Sequence, residues 1–164
     1  MLGEIPAIPE FSLAVSMVSS SSAPYAGDID AAGAWEQLKA HPTAQVIDVR
    51  TMAEWNFVGL PDLSPLGRQV HCIEWQMFPT MAVNPGFAKE AAAAVMGAGA
   101  SKDTPIFLLC RSGARSRAAA IALTAEGFTA AYNMAGGFER DLDAQRHRGQ
   151  VNGWKATGLP WRQG

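Results

Sequence analysis

Cys110, Arg111, Ser112, Gly113, Ala114, Arg115 and Ser116 stand in one unbroken run. Cysteine supplies a nucleophilic sulfur once ionised. A free thiol has a pKa near ~8.5, and this falls at a helix N-terminus beside arginines. Arg111 and Arg115 carry permanent charge and forked donors suited to an oxyanion. Gly113 can take a positive φ and let the chain curl round the sulfur. The run therefore reads as a place that stabilises a thiolate and binds an anion through its backbone N–H groups. The plainer alternative is a buried cysteine ending a strand, with arginines that only solvate the loop. The coincidence of cysteine, glycine and flanking arginines at one turn argues against it.

Such a loop needs a strand before it and a helix after it. Residues 105–109 are a short apolar run, which suits a strand buried on both faces. Residues 116–127 are rich in alanine and stop at Gly127, which predicts a helix with a glycine C-cap.

Upstream, residues 25–29 predict a short edge strand. Asp28 or Asp30 can cap a helix over 31–40 that ends at His41-Pro42. Residues 45–49 predict an apolar strand containing Asp48. Thr51 can cap the short helix that holds Glu54, and Gly59 closes it. Residues 60–67 read as a loop with two prolines. Residues 70–73 read as a third core strand, with Cys72 a small buried hydrophobe. The alternative for Cys72 is a resolving thiol paired with Cys110. Residues 74–83 are irregular, and their Trp75, Met77, Phe78 and Met81 could wall a site or fill the core. A helix is predicted over 84–96 with Pro85 at its first position. A strand is predicted over 129–132 and a last helix over 136–145. Arg140, Arg146, His147 and Arg148 read as a solvated helix end, with a partner site as the alternative.

Strands alternating with helices imply parallel β-α units, with the cysteine loop at the C-terminal ends of the strands. The 164 residues suggest one domain, and 48% hydrophobic content suffices for a core. A net charge of −2 gives no reason to expect nucleic acid or an acidic membrane as partner. Two cysteines make no disulfide framework and fit a reducing, cytoplasmic setting. No apolar run is long enough to span a bilayer. His41, His71 and His147 lack metal-ligand spacing, so no metal or cofactor is expected. Residues 1–24 read as a disordered leader, with a clipped export-signal remnant as the alternative. Residues 25–164 then form the folded domain.

The Cys110–Ser116 run resembles the loop of the rhodanese family of sulfurtransferases. The likeness extends to Val46-Ile47-Asp48-Val49-Arg50 with Glu54, to Asn133-Met134 with Gly136-Gly137-Phe138, and to Gly153-Trp154-Lys155 with Gly158-Leu159-Pro160. Two positions depart from the family pattern. Leu60 stands where most members have histidine, and Asp141 where many have tryptophan.

The resemblance implies a three-layer α/β/α fold with a central, mostly parallel five-stranded sheet. It implies that Cys110 takes sulfane sulfur from an anionic donor such as thiosulfate and holds it as a persulfide. A thiophilic acceptor then removes it: cyanide, a small thiol or a protein. Arg111, Ser112, Gly113, Ala114, Arg115 and Ser116 would bind the substrate, with Asp48, Arg50 and Glu54 in support. Two other readings stay open. A cysteine-dependent phosphatase or arsenate reductase uses a related loop, but with arginine one place later than Arg115. A non-catalytic rhodanese-like binding module commonly lacks the cysteine that is present here.

Overall fold

The structure, a computed structural model, describes residues 24–163. The leader expected over 1–24 lies outside the described residues, apart from Pro24. In chain order the elements are β1 (Gly27–Ile29), α1 (Ala31–Ala40), β2 (Gln45–Asp48), α2 (Met52–Phe57), β3 (Leu60–Pro61), β4 (His71–Cys72), β5 (Gln76–Met77), β6 (Ala82–Val83), α3 (Phe87–Gly97), β7 (Ile106–Leu109), α4 (Ala114–Ala125), β8 (Ala131–Met134) and β9 (Trp161–Arg162).

Five of these strands make one sheet in the order β1-β8-β7-β2-β4. Every pairing in it is parallel. β7 lies at the centre because its four side chains are fully buried, each stabilising by about 1.5–3 kcal/mol. Their alternation explains the unbroken apolar run. Ile106 and Leu108 pack with Phe87, Ala91 and Val95 of α3 and Ala119, Ala120 and Leu123 of α4. Phe107 and Leu109 pack on the other face with Ala31, Ala34 and Leu38 of α1 and with Phe138 and Trp154. The result is three layers, α/β/α.

Local signals set most boundaries. Asp30 caps α1, its carboxylate accepting from Gly33 N at 2.7 Å. Thr51 and Glu54 form a reciprocal capping box at the start of α2. Gly127 ends α4 at φ +102°, where the backbone of Phe128 returns to Leu123. The C-terminal end of α1 is closed by the Arg68 guanidinium, which donates to the carbonyls of Leu38, His41 and Ala44.

Four expectations change. The helix predicted over 136–145 does not form; those residues are turns and bends. Their backbone pairs elsewhere: Phe138 N–H donates to the Cys110 carbonyl at 2.8 Å, and Trp154 N–H to Gly137 at 2.9 Å. The third strand shrinks to His71–Cys72 and lies at the sheet edge, which leaves Cys72 exposed. Helix α3 begins at Phe87, and Pro85 falls in the preceding turn, where Asn84 Oδ1 accepts from Gly86 N at 3.1 Å. Residues 74–83 contain the two-stranded β5–β6 hairpin. Trp75 packs edge-on to Phe87, while Met77, Phe78 and Met81 are exposed.

Candidate active site

Cys110 follows β7, where Val49 N–H holds the Leu109 carbonyl at 2.8 Å. Gly113, at φ +119°, turns the chain straight into α4. The helix begins at Ala114, so Arg115 and Ser116 occupy its first turn and the loop proper is only Cys110–Gly113. Nothing in Ala114 or Arg115 resists helix formation. Helical side chains lean toward the N-terminus. Ser116 Oγ accordingly comes back over the sulfur, 3.2 Å from Cys110 Sγ. Gly113 N–H donates to the same sulfur at 3.0 Å. Cys110 and Ser116 are both buried. Arg111 is exposed and makes no ion pair among the described residues, and Ser112 is half-buried. Ala114 is exposed on the first turn.

The loop is clamped from behind. Phe138 and Glu139 N–H groups donate to the carbonyls of Cys110 and Arg111. This approach requires glycine at 137, which sits at φ +62°; a Cβ there would lie 2.4 Å from Arg111 O.

Arg115 is already engaged. Its Nη1 and Nη2 donate to Glu54 Oε1 and Oε2 at 2.7 and 3.0 Å. Burial acts to raise the Glu54 carboxyl, but Arg115 outweighs it and holds Glu54 below the usual carboxylate range. Arg115 is raised in turn: burial acts downward, and the bonds and charge of Glu54 prevail.

Asp48 and Arg50 do not touch the sulfur. They form a fully buried ion pair at 2.7 Å. Arg50 Nη2 also donates to Gly59 O at 2.6 Å, and the guanidinium lies 4.3 Å over the Phe138 ring. Arg50 precedes α2 and Gly59 follows it. The pair therefore staples both ends of the short helix that presents Glu54.

Cys72 stands apart. It pairs in register with Asp48, which pairs with Leu109. Side chains that are neighbours across parallel strands share a face. Cys72 thus points to the face of Leu109, and Cys110 packs on the other. Two strand spacings, about 10 Å, separate their strands. A disulfide needs Cα atoms within about 7 Å, so the two thiols cannot pair. Cys72 is exposed overall, yet partial desolvation by the packing that remains around its thiol, with Asp48 adding, pushes it up to about 11.

Sequence reasoning missed Asn133 and Asp28 as members of the site. Asn133 Oδ1 lies 2.6 Å from Ser116 Oγ, and its Nδ2 donates to Asp28 Oδ1 at 3.0 Å. The available signal was a polar residue inside an otherwise buried strand. No group of three or more potential metal-ligating side chains occurs among the described residues. No helix there is long and apolar enough to cross a membrane.

Residues 26–164 match the family model described as the STR4 middle domain. The chain is 33% identical over 129 residues to the uncharacterized protein RP600 of Rickettsia prowazekii, covering 79% of this chain and 91% of that one. It resembles the crystal structure of Rv0390 from M. tuberculosis with a TM-score of 0.73 and 48% identity. That match covers 85% of this chain and 99% of the other. A fold likeness, at TM-score 0.53 and 22% identity, links it to the polysulfide-sulfur transferase homodimer of Wolinella succinogenes. There the coverage is 84% of this chain and 78% of that one. The chain belongs to the STR4 middle-domain family and has the rhodanese-like α/β/α fold.

Proposed function

We propose that the protein moves sulfane sulfur from an anionic donor such as thiosulfate to a thiophilic acceptor through a persulfide on Cys110. The observation that carries this reading is the cradle of one sulfur atom: Gly113 N–H at 3.0 Å and Ser116 Oγ at 3.2 Å, at the positive end of a twelve-residue helix. The relation of the fold to sulfur transferases favours a sulfur substrate.

The Cys110 thiolate attacks the donor's outer sulfur, and sulfite leaves with the bonding pair. Cyanide or a thiolate, either small or on a protein, then attacks the outer persulfide sulfur and returns the pair to Sγ. This is double displacement through a covalent intermediate. Both steps run without a proton transfer to the sulfur, so neither needs a histidine beside Cys110. Arg111 is the cation left to meet the donor's sulfonate. Arg115 adds the N–H groups that Glu54 does not occupy. A reducing cytoplasm suits a cycle that begins and ends with a free thiol.

Thiocyanate formation from thiosulfate and cyanide tests the reading. The protein should turn over, Cys72→Ser should match it, and Cys110→Ser should be inactive. Undiminished turnover in Cys110→Ser, or none in the unmodified protein, contradicts the assignment.

A further inference from the structure

A chain of contacts runs from the sulfur to the edge of the sheet. Ser116 Oγ lies 3.2 Å from Cys110 Sγ and 2.6 Å from Asn133 Oδ1. Asn133 Nδ2 donates to Asp28 Oδ1 at 3.0 Å, and the Tyr25 hydroxyl donates to the same oxygen at 2.9 Å. Ser116 and Asn133 are buried, and Asp28 is exposed. Asn133 and Asp28 are register partners on β8 and β1, which fixes their proximity.

Donor and acceptor identities determine how the chain is polarised. A carboxylate only accepts, so the Asn133 amide nitrogen must face Asp28 and its oxygen must face Ser116. That amide oxygen also only accepts. Ser116 has one hydroxyl proton. It can go to Asn133 Oδ1 or to the sulfur, but not to both.

Charge on Sγ decides which. Uncharged sulfur is a weak acceptor, so the proton stays on Asn133. A thiolate accepts about twice as strongly and draws the proton over. Asn133 Oδ1 is then left buried without this partner, which is costly. In the proposed cycle this choice is made at every turnover. During loading, the Sγ pair forms the new S–S bond, the donor's S–S bond breaks, and sulfite takes the leaving pair. The negative charge passes to the outer sulfur, and Sγ becomes uncharged. During delivery the S–S bond breaks and its pair returns to Sγ.

The geometry points to Asn133, clamped by Asp28, as a positioning residue that favours the sulfur-loaded state over the bare thiolate by competing for the Ser116 proton. This rests on the persulfide reading. Two variants release the proton by different routes. Asn133→Leu removes the competing acceptor. Asp28→Ala, at an exposed position, frees the Asn133 amide to turn its NH₂ toward Ser116, whose proton then goes to sulfur. The other charged groups on the packed elements, Arg115 with Glu54 and Arg117 over the Tyr25 ring, are unchanged in both.

The experiment equilibrates the purified chain, in a Cys72→Ser background, with graded thiosulfate-to-sulfite ratios. It is run near pH ~9, where an ordinary thiol is largely ionised. Intact mass reads the loaded fraction. Each variant should need a roughly threefold to tenfold higher ratio for half-loading, the equivalent of one net hydrogen bond. Neither should shift it when Ser116→Ala is also present, because the effect acts through that hydroxyl. General loosening of the site, or the charge lost in Asp28→Ala, would persist without the hydroxyl. Should Asn133→Leu fail to fold, Asp28→Ala decides alone. No shift, a shift toward easier loading, or a shift that survives Ser116→Ala overturns the inference. A parent protein that never loads defeats the persulfide reading and this one with it; a parent that loads beside variants that do not shift defeats this one only.

Discussion

Arg115 meets the loop with its charge already matched by Glu54, whereas Arg111 does not. The Arg115–Glu54 pair is held bidentately, with side-chain exposures of 18% and 21%. The donor's anionic end therefore meets Arg111 as the unmatched charge. A charge-assisted hydrogen bond contributes about 1.5–3 kcal/mol, and ~1.4 kcal/mol is a factor of ten. Arg111→Ala should raise the thiosulfate KM about tenfold or more at unchanged Tm. Arg115→Ala should lower Tm as well, because it leaves Glu54 half-buried and unpaired. Initial-rate kinetics beside thermal melts separate the two, and an unchanged KM in folded Arg111→Ala returns that residue to a solvated surface. The residue types at 110–116 were legible from their chemistry. The commitment of Arg115 was not, because Glu54 lies 61 positions away in sequence and only the fold brings it near.

The loop holds its shape because other elements hold it. Helix α2 presents Glu54, the buried Asp48–Arg50 pair staples α2, and the segment after β8 binds the loop's carbonyls. Gly137 is the point of closest approach. A methyl group there would meet Arg111 O at 2.4 Å on a backbone at φ +62°. Gly137→Ala should cost roughly 1–3 kcal/mol from backbone strain alone. It should also weaken turnover more than a surface change of equal stability does. Chemical denaturation paired with kcat measures both, and a variant with wild-type midpoint and rate would show the clamp to be slack. The caps at Thr51 and Gly127 could be read locally, since cap chemistry is local. The helix expected over 136–145 failed for a non-local reason. Gly136 and Gly137 serve a close approach between distant backbones, and a run of sequence carries no sign of that partner.

At the scale of the whole molecule, the parallel sheet was legible because β7 is apolar throughout, β2 carries Val46 and Ile47 at its middle, and both alternate with helices. The position of β4 at the edge was not, since strand order follows from packing that a short run of residues does not encode. That order has a chemical consequence. It puts Cys72 at the rim and on one face, away from the loop that holds Cys110, and Cys110 in the interior on the other, under the Gly113 N–H. One thiol is therefore left to carry sulfur. The direct measurement is the intact mass of the protein after brief exposure to thiosulfate, repeated after dithiothreitol or cyanide. The account predicts a gain of one sulfur that either reagent removes, retained in Cys72→Ser and absent in Cys110→Ser. A gain that persists in Cys110→Ser, or no gain in the unmodified protein, would contradict it.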